Sequence, residues 1–222
     1  MIELHNVTKY FRVNEYKRYI LKDVNITLPD SNIGILGKNG AGKSTLMRML
    51  GKIEFPSQGT IFSTNSFSWP LGLGGGFVGN MSAKDNIKFV CKLYGKTEKE
   101  TKDIIVSVRK FSDIGKYFDM PIKTYSSGMK GRVGFGLSLS FNFDYMIIDE
   151  TLSVGDASFK DKAKKALREK IKTCHVLLVS HDMQTLRDIC QSGLLVHEGE
   201  LFYYEDINEA ISHYNKINKE EK

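Results

Sequence analysis

With 222 residues, 41% of them hydrophobic, the chain can bury one good core with a lobe attached, and no apolar run approaches the ~20 residues a membrane-crossing helix needs. The start Met1-Ile2-Glu3-Leu4 lacks the basic-then-apolar order of an export leader, and the 3 cysteines, Cys91, Cys174 and Cys190, show no metal-ligand spacing, so a cytoplasmic protein with reduced thiols is expected. The net charge of +6 favours an anionic partner without choosing among nucleotide, nucleic acid and a phospholipid surface.

Residues 2–7 and 24–28 alternate apolar and polar side chains, which predicts a small antiparallel sheet leaning on a parallel core. The triplets Asn6-Val7-Thr8 and Asn25-Ile26-Thr27 have the form of glycosylation acceptors, a pattern a cytoplasmic chain does not use. After the turn Pro29-Asp30-Ser31-Asn32, an apolar run at 33–36 leads into Gly37-Lys38-Asn39-Gly40-Ala41-Gly42-Lys43-Ser44-Thr45, and apolar residues at 46, 47, 49 and 50 follow at helical spacing. This is a P-loop: the glycines let backbone N–H groups wrap a triphosphate, Lys43 reaches the β- and γ-phosphates, and the Ser44 hydroxyl ligates Mg²⁺. A chance glycine turn before Lys-Ser is the alternative, at a probability on the order of one per cent for a chain with average glycine content. Ahead of the loop, Tyr10, Phe11, Tyr16 and Tyr19 lie in a basic stretch between the first two predicted strands. Each either stacks on an adenine ring, worth roughly 1–3 kcal/mol, or packs locally.

Residues 59–62 and 67–69 read as short strands, and Pro70-Leu71-Gly72-Leu73-Gly74-Gly75-Gly76-Phe77 as a glycine-rich loop suited to a switch. From Ser82 to about Phe143 the pattern is helical, with capping-box spacing at Ser82/Asp85 and Thr97/Glu100, which predicts a helical lobe at about 79–142 inserted into a single α/β domain spanning 1–222. Ser126-Ser127-Gly128 precedes a helical run whose N-terminus presents unpaired N–H groups. Tyr145-Met146-Ile147-Ile148-Asp149-Glu150 is a buried-strand run ending in paired carboxylates. Behind a P-loop the first of these holds Mg²⁺ and the second stands ready to polarise a water, the alternative being a mere helix cap. A helix at 157–172 carries a solvated basic face over an apolar stripe, and residues 176–179 form another buried strand, followed by His181 at its tip. A closing hairpin at 193–204 and a last amphipathic helix capped at Asp206 complete the chain.

The order of P-loop, glycine loop, helical lobe ending in Ser126-Ser127-Gly128, Asp149-Glu150 and His181 resembles the nucleotide-binding domain of ABC transporters over essentially the whole chain. The resemblance implies a RecA-like P-loop core with an N-terminal antiparallel β-subdomain and an inserted helical subdomain. It further implies ATP held by Gly37 to Thr45, Mg²⁺ held by Ser44 and Asp149, Glu150 as catalytic base and His181 as γ-phosphate sensor. Phe11, two residues after Lys9, matches the adenine-stacking aromatic, with Tyr10 as substitute, and Ser153-Val154-Gly155-Asp156 matches the loop that crosses the dimer interface. Ser126, Ser127 and Gly128 take the place of the signature that touches the ATP of a second copy. The chain departs from the family at Tyr125-Ser126-Ser127-Gly128-Met129, where Leu-Ser-Gly-Gly-Gln is usual, at Gly155-Asp156, where Leu-Asp is usual, and in having no glutamine between 69 and 77.

Segments 68–77 and 115–129 look like the ATPase subunit of capsular polysaccharide exporters of the polysialic-acid type, while O-antigen and teichoic acid exporters share part of the pattern. With about 40 residues after His181, the extra C-terminal domain of sugar-recognising O-antigen ATPases is not expected. The resemblance implies a homodimer on the cytoplasmic face of the bacterial inner membrane, working with an integral membrane permease. A soluble ABC protein acting on nucleic acid or ribosomes is supported only by the basic charge, and no nucleic acid partner is expected. A P-loop kinase leaves Asp149-Glu150, His181 and the signature unexplained.

Overall fold

The computed structural model describes residues 1–69, 77–149 and 157–220. The chain divides into two compact units. In the first, β1 (Ile2–Val13) and β2 (Tyr16–Leu28) form a long antiparallel hairpin, and β4 (Gln58–Ser63) pairs with the other edge of β1, giving the order β2-β1-β4. The strands run further than their alternation predicts, so Tyr10, Phe11, Tyr16 and Tyr19 lie within the hairpin rather than between two short strands. The period-2 signal is broken by register shifts between Leu4 and Val7, Val7 and Lys9, and Lys9 and Tyr10, with Asn6 and Asp23 at φ 49° and 47°. Side chains tie these irregular points: Asn25 Oδ1 accepts from the Asn6 N–H at 2.8 Å, and Thr8 Oγ1 accepts from the Asp23 N–H at 2.9 Å.

The second sheet of this unit has β3 (Ile33–Leu36) at its centre, in the order β5-β6-β3-β7-β8 with β5 (Tyr145–Asp149), β6 (His175–Val179), β7 (Ser192–His197) and β8 (Glu200–Tyr204). β5, β6, β3 and β7 are parallel, and β8 returns antiparallel through Glu198 and Gly199 at φ 48° and 86°, a turn that matches strand twist. α1 (Lys43–Leu50) buries Leu46, Met47, Met49 and Leu50 in one cluster with Ile2, Leu4, Leu21, Ile35, Ile147 and Leu177, so the two sheets share a core. α7 (Ile207–Glu220) closes against β3 and β7, and α6 (Met183–Ile189) packs on α7. A Cβ on Gly193 would stand 2.2 Å from Ala210 Cβ, so glycine is what lets α7 approach β7.

The predicted strand at 67–69 reduces to a single parallel bridge between Phe67 and Tyr145. The reason is local: the Ser68 hydroxyl accepts the Ile147 N–H at 2.9 Å, so a side chain replaces the next ladder bond. The Phe67 and Tyr145 rings stack with centroids 5.3 Å apart. Burial pushes the Tyr145 phenol far above its ordinary pKa, keeping it a donor to Asp30 and the Pro29 carbonyl.

The second unit is helical, with α2 (Ala83–Leu93), α3 (Glu98–Ser112), α4 (Ser127–Leu139) and α5 (Ala157–Lys170). Thr97 and Glu100 form the predicted capping box, and Ser82 caps α2 through the Asp85 N–H. α5 ends two residues earlier than its pattern predicts, and two lysines of its basic face are engaged rather than solvated. Lys162 donates to the Lys110 and Phe111 carbonyls at the end of α3, and Lys170 to the Phe141 carbonyl. The glycine loop at 70–76, Glu150 and the crossing loop at 153–156 lie outside the described residues.

Candidate functional site

Backbone conformation builds the glycine loop. Gly37, Gly40 and Gly42 adopt φ of 148°, 81° and 111°, angles that cost any residue with a Cβ. Two of these positions also lack space: a Cβ on Gly37 would stand 2.5 Å from the Val196 carbonyl oxygen, and one on Gly42 would stand 2.4 Å from Ile20 Cγ2. Within the loop the Ala41 N–H donates to the Lys38 carbonyl at 3.1 Å, leaving Asn39 and Gly40 at the bend. α1 begins at Lys43 with no side-chain cap on Gly42, so its first-turn N–H groups are not taken by a capping side chain. Lys43 is only 9% exposed, and its ammonium folds back across the loop and donates to the carbonyls of Gly37 and Lys38 at 2.7 and 3.0 Å. Backbone N–H groups around a single buried cation are the chemistry of a polyphosphate cradle.

The sheet brings Asp149 and His181 to the same edge as the loop. Asp149 pairs with Val179, and Val179 with Ile35, so the three stand in one row across β5, β6 and β3. Gly37 and His181 each follow two residues after that row, leaving the carboxyl ends of parallel strands where ligands of open α/β sheets lie. A small cleft is lined by Gly37, Lys43, Ser180, His181, Met183 and Tyr214, the last contributed by α7 and not flagged by sequence. Ser44 and Thr45 open α1, where the Thr45 hydroxyl accepts from Arg48 at 3.3 Å.

Register also sorts the hairpin aromatics. Phe11 pairs with Arg18, Val13 with Tyr16 and Tyr10 with Tyr19, so Phe11, Arg18 and Tyr16 share one face and Tyr10 and Tyr19 the other, the last two with their rings 5.6 Å apart. Ile20, next in line on the Arg18 face, is the residue packed under Gly42. Phe11 is 38% exposed, with the Lys9 ammonium 5.1 Å from its ring centroid.

In the helical unit, Ser126 caps α4 by accepting from the Met129 N–H at 3.2 Å. A cleft of about 420 Å³ opens beside this helix start, lined by Asp113, Tyr117, Ser126, Gly128, Met129 and Arg132 among others. A Cβ on Gly128 would meet nothing closer than Ser126 Oγ at 3.8 Å.

The family profile described as ABC transporter matches residues 21–153, from within β2 past Asp149. The chain belongs to the ABC transporter family. It is 45% identical over 216 residues to the polysialic acid transport ATP-binding protein KpsT of Escherichia coli, covering 96% of this chain and 96% of that protein. Its identity to the capsule polysaccharide export ATP-binding protein CtrD of Neisseria meningitidis serogroup B is 38%, covering 98% of this chain and 100% of that protein. A solved dimer of an ATP-binding cassette in a post-hydrolysis state, bound to ADP and Pi, matches with a TM-score of 0.79 over 93% of this chain and 99% of that chain. At 19% identity this last likeness is one of fold, the ABC cassette with its antiparallel sheet, mixed sheet and helical part.

Within the ABC frame, sequence reasoning missed the neighbours that shape the loop from outside: Ile20, Arg18 and the Val196 carbonyl. For Ile20 and Arg18 hairpin register was the missing information, and the bulge after Lys9 hides it.

Proposed function

We propose that the chain is the ATP-hydrolysing subunit of a capsular polysaccharide exporter, working on the cytoplasmic face of the inner membrane with an integral membrane permease and a second copy of itself. The observation that carries the ATPase reading is the single row Asp149–Val179–Ile35, which aims the P-loop, Asp149 and His181 at one edge. The choice of cargo rests on the end-to-end match to relatives named for polysialic acid and capsule export. No helix among the described residues is long and apolar enough to cross a membrane, in keeping with a separate permease.

The residues present fit a magnesium nucleotide. Glycines hold the cradle open, Lys43 faces it, and Ser44 and Asp149 offer the hard oxygen donors that Mg²⁺ takes alongside phosphate oxygens. Bound Mg²⁺ neutralises charge on the phosphates. In this proposal Gly37, Lys38, Asn39, Gly40, Ala41, Gly42 and Thr45 wrap the phosphates, while Lys43 reaches the γ-phosphate by exchanging its bonds to the Gly37 and Lys38 carbonyls. Glu150 accepts the proton of the attacking water, His181 holds the γ-phosphate, and Phe11 stacks on adenine. Ser126, Ser127 and Gly128 of the second copy complete the site with a helix N-terminus. Support for that last role comes from Gly128: its own chain does not need a glycine there, so the bare backbone is best explained by a close approach from outside.

The direct test is Lys43→Ala assayed with the permease present. Loss of the charge-assisted contact, typically worth a few kcal/mol in the transition state, should abolish measurable ATP turnover. Wild-type turnover would overturn the assignment of the loop.

A further inference from the structure

We propose that Arg18 is a nucleotide-binding residue that donates to the α-phosphate of ATP and ADP. The inference rests on the ATPase reading above and adds a contact that the P-loop does not contain. Arg18 stands directly across the hairpin from Phe11, on the face whose next residue in β2, Ile20, packs under Gly42. Its Nη2 lies 3.6 Å from where a Cβ on Gly40 would stand, so the guanidinium hangs over the bend of the phosphate cradle.

Neighbouring hairpin lysines are engaged. Lys9 pairs with Glu54 at 2.8 Å, and Lys17 lies 4.4 Å from the Tyr10 ring centroid. Arg18, by contrast, makes no hydrogen bond or ion pair among the described residues. An arginine fork without a protein partner at an anion cradle is poised for a phosphate. Position selects which one. With the base on Phe11 and the β- and γ-phosphates inside the loop near Lys43, the part of the nucleotide that passes between Phe11 and Gly40 is the ribose and the α-phosphate, and only the latter is an anion.

ATP and ADP share that group, so Arg18 should set affinity for both alike. The experiment titrates the full chain, by calorimetry, with ADP, with the β,γ-imido analogue of ATP, and with the two diastereomers of ADP carrying sulfur on the α-phosphate. Arg18→Ala and Arg18→Gln should weaken ADP and the ATP analogue by a similar factor, roughly tenfold for a charged hydrogen bond. Arg18→Lys should recover part of the loss. The preference between the two thio-diastereomers should shrink in Arg18→Ala, which a merely structural residue would not cause. Unchanged ADP affinity, a loss confined to the ATP analogue, or an unchanged diastereomer preference would each overturn the proposal. Lys43→Ala, run alongside, keeps the two readings apart: if it too leaves nucleotide affinity intact, the ATPase site itself is wrong, and if it alone weakens binding, only the role of Arg18 falls.

Discussion

Phe11 shares a face of the hairpin with the side chains that border the glycine loop, whereas Tyr10 and Tyr19 pack on each other across the opposite face. That difference sets Phe11 apart from Tyr10 and Tyr19, which composition leaves equivalent to it. Phe11→Ala should weaken ATP and ADP alike by roughly 1–3 kcal/mol with the rate at saturation nearly intact, as a fluorescence titration paired with steady-state kinetics will read. An unchanged affinity would move the adenine platform elsewhere. Gly128 makes the complementary case, because a helical glycine with open space around it costs stability without serving its own chain. Gly128→Ala should raise the unfolding free energy by up to about 1 kcal/mol while lowering ATP turnover, and a variant that is both more stable and fully active would remove the argument for an approach from outside.

At the scale of elements, the strand tips were legible from sequence because each carries its chemistry at its end. A four-residue apolar run before the P-loop, an apolar run before Asp149 and another before His181 predict three parallel strands, and parallel strands place their carboxyl ends together. The hairpin was less legible. Its bulges shift the alternation from face to face, so the pattern seen at residues 2–7 gives no hint that β1 continues to Val13 or which aromatics look toward the loop. The segment 67–69 misled for a different reason, since its polar member, Ser68, takes over a ladder bond. Helix placement on the sheet also depends on residues that composition cannot rank. Gly193 is one: an added methyl there would stand 2.2 Å from Ala210 Cβ, so Gly193→Ala should force α7 away from β7 and cost about 1–3 kcal/mol. A denaturation midpoint equal to wild type would show that the helix repacks freely.

For the whole molecule, the proposed nucleotide site is half a site. In this proposal one copy supplies the cradle, Asp149 and His181, and the helix start at Ser126 comes from another copy, as two-fold assemblies allow. A lone subunit should then be a poor catalyst, and dimerisation should follow ATP rather than precede it. The most direct measurement is size-exclusion chromatography of Glu150→Gln with and without ATP, set beside Glu150→Gln combined with Ser126→Arg. Glu150→Gln keeps the side-chain shape and removes the proposed proton acceptor, so turnover should fall roughly 10²–10⁴-fold while ATP still binds and shifts the protein to a dimer. The added arginine places a bulky side chain where the cap hydroxyl and free N–H groups are proposed to meet the γ-phosphate, so the ATP-dependent dimer should disappear. A double variant that dimerises with ATP as well as the single one would contradict the shared site.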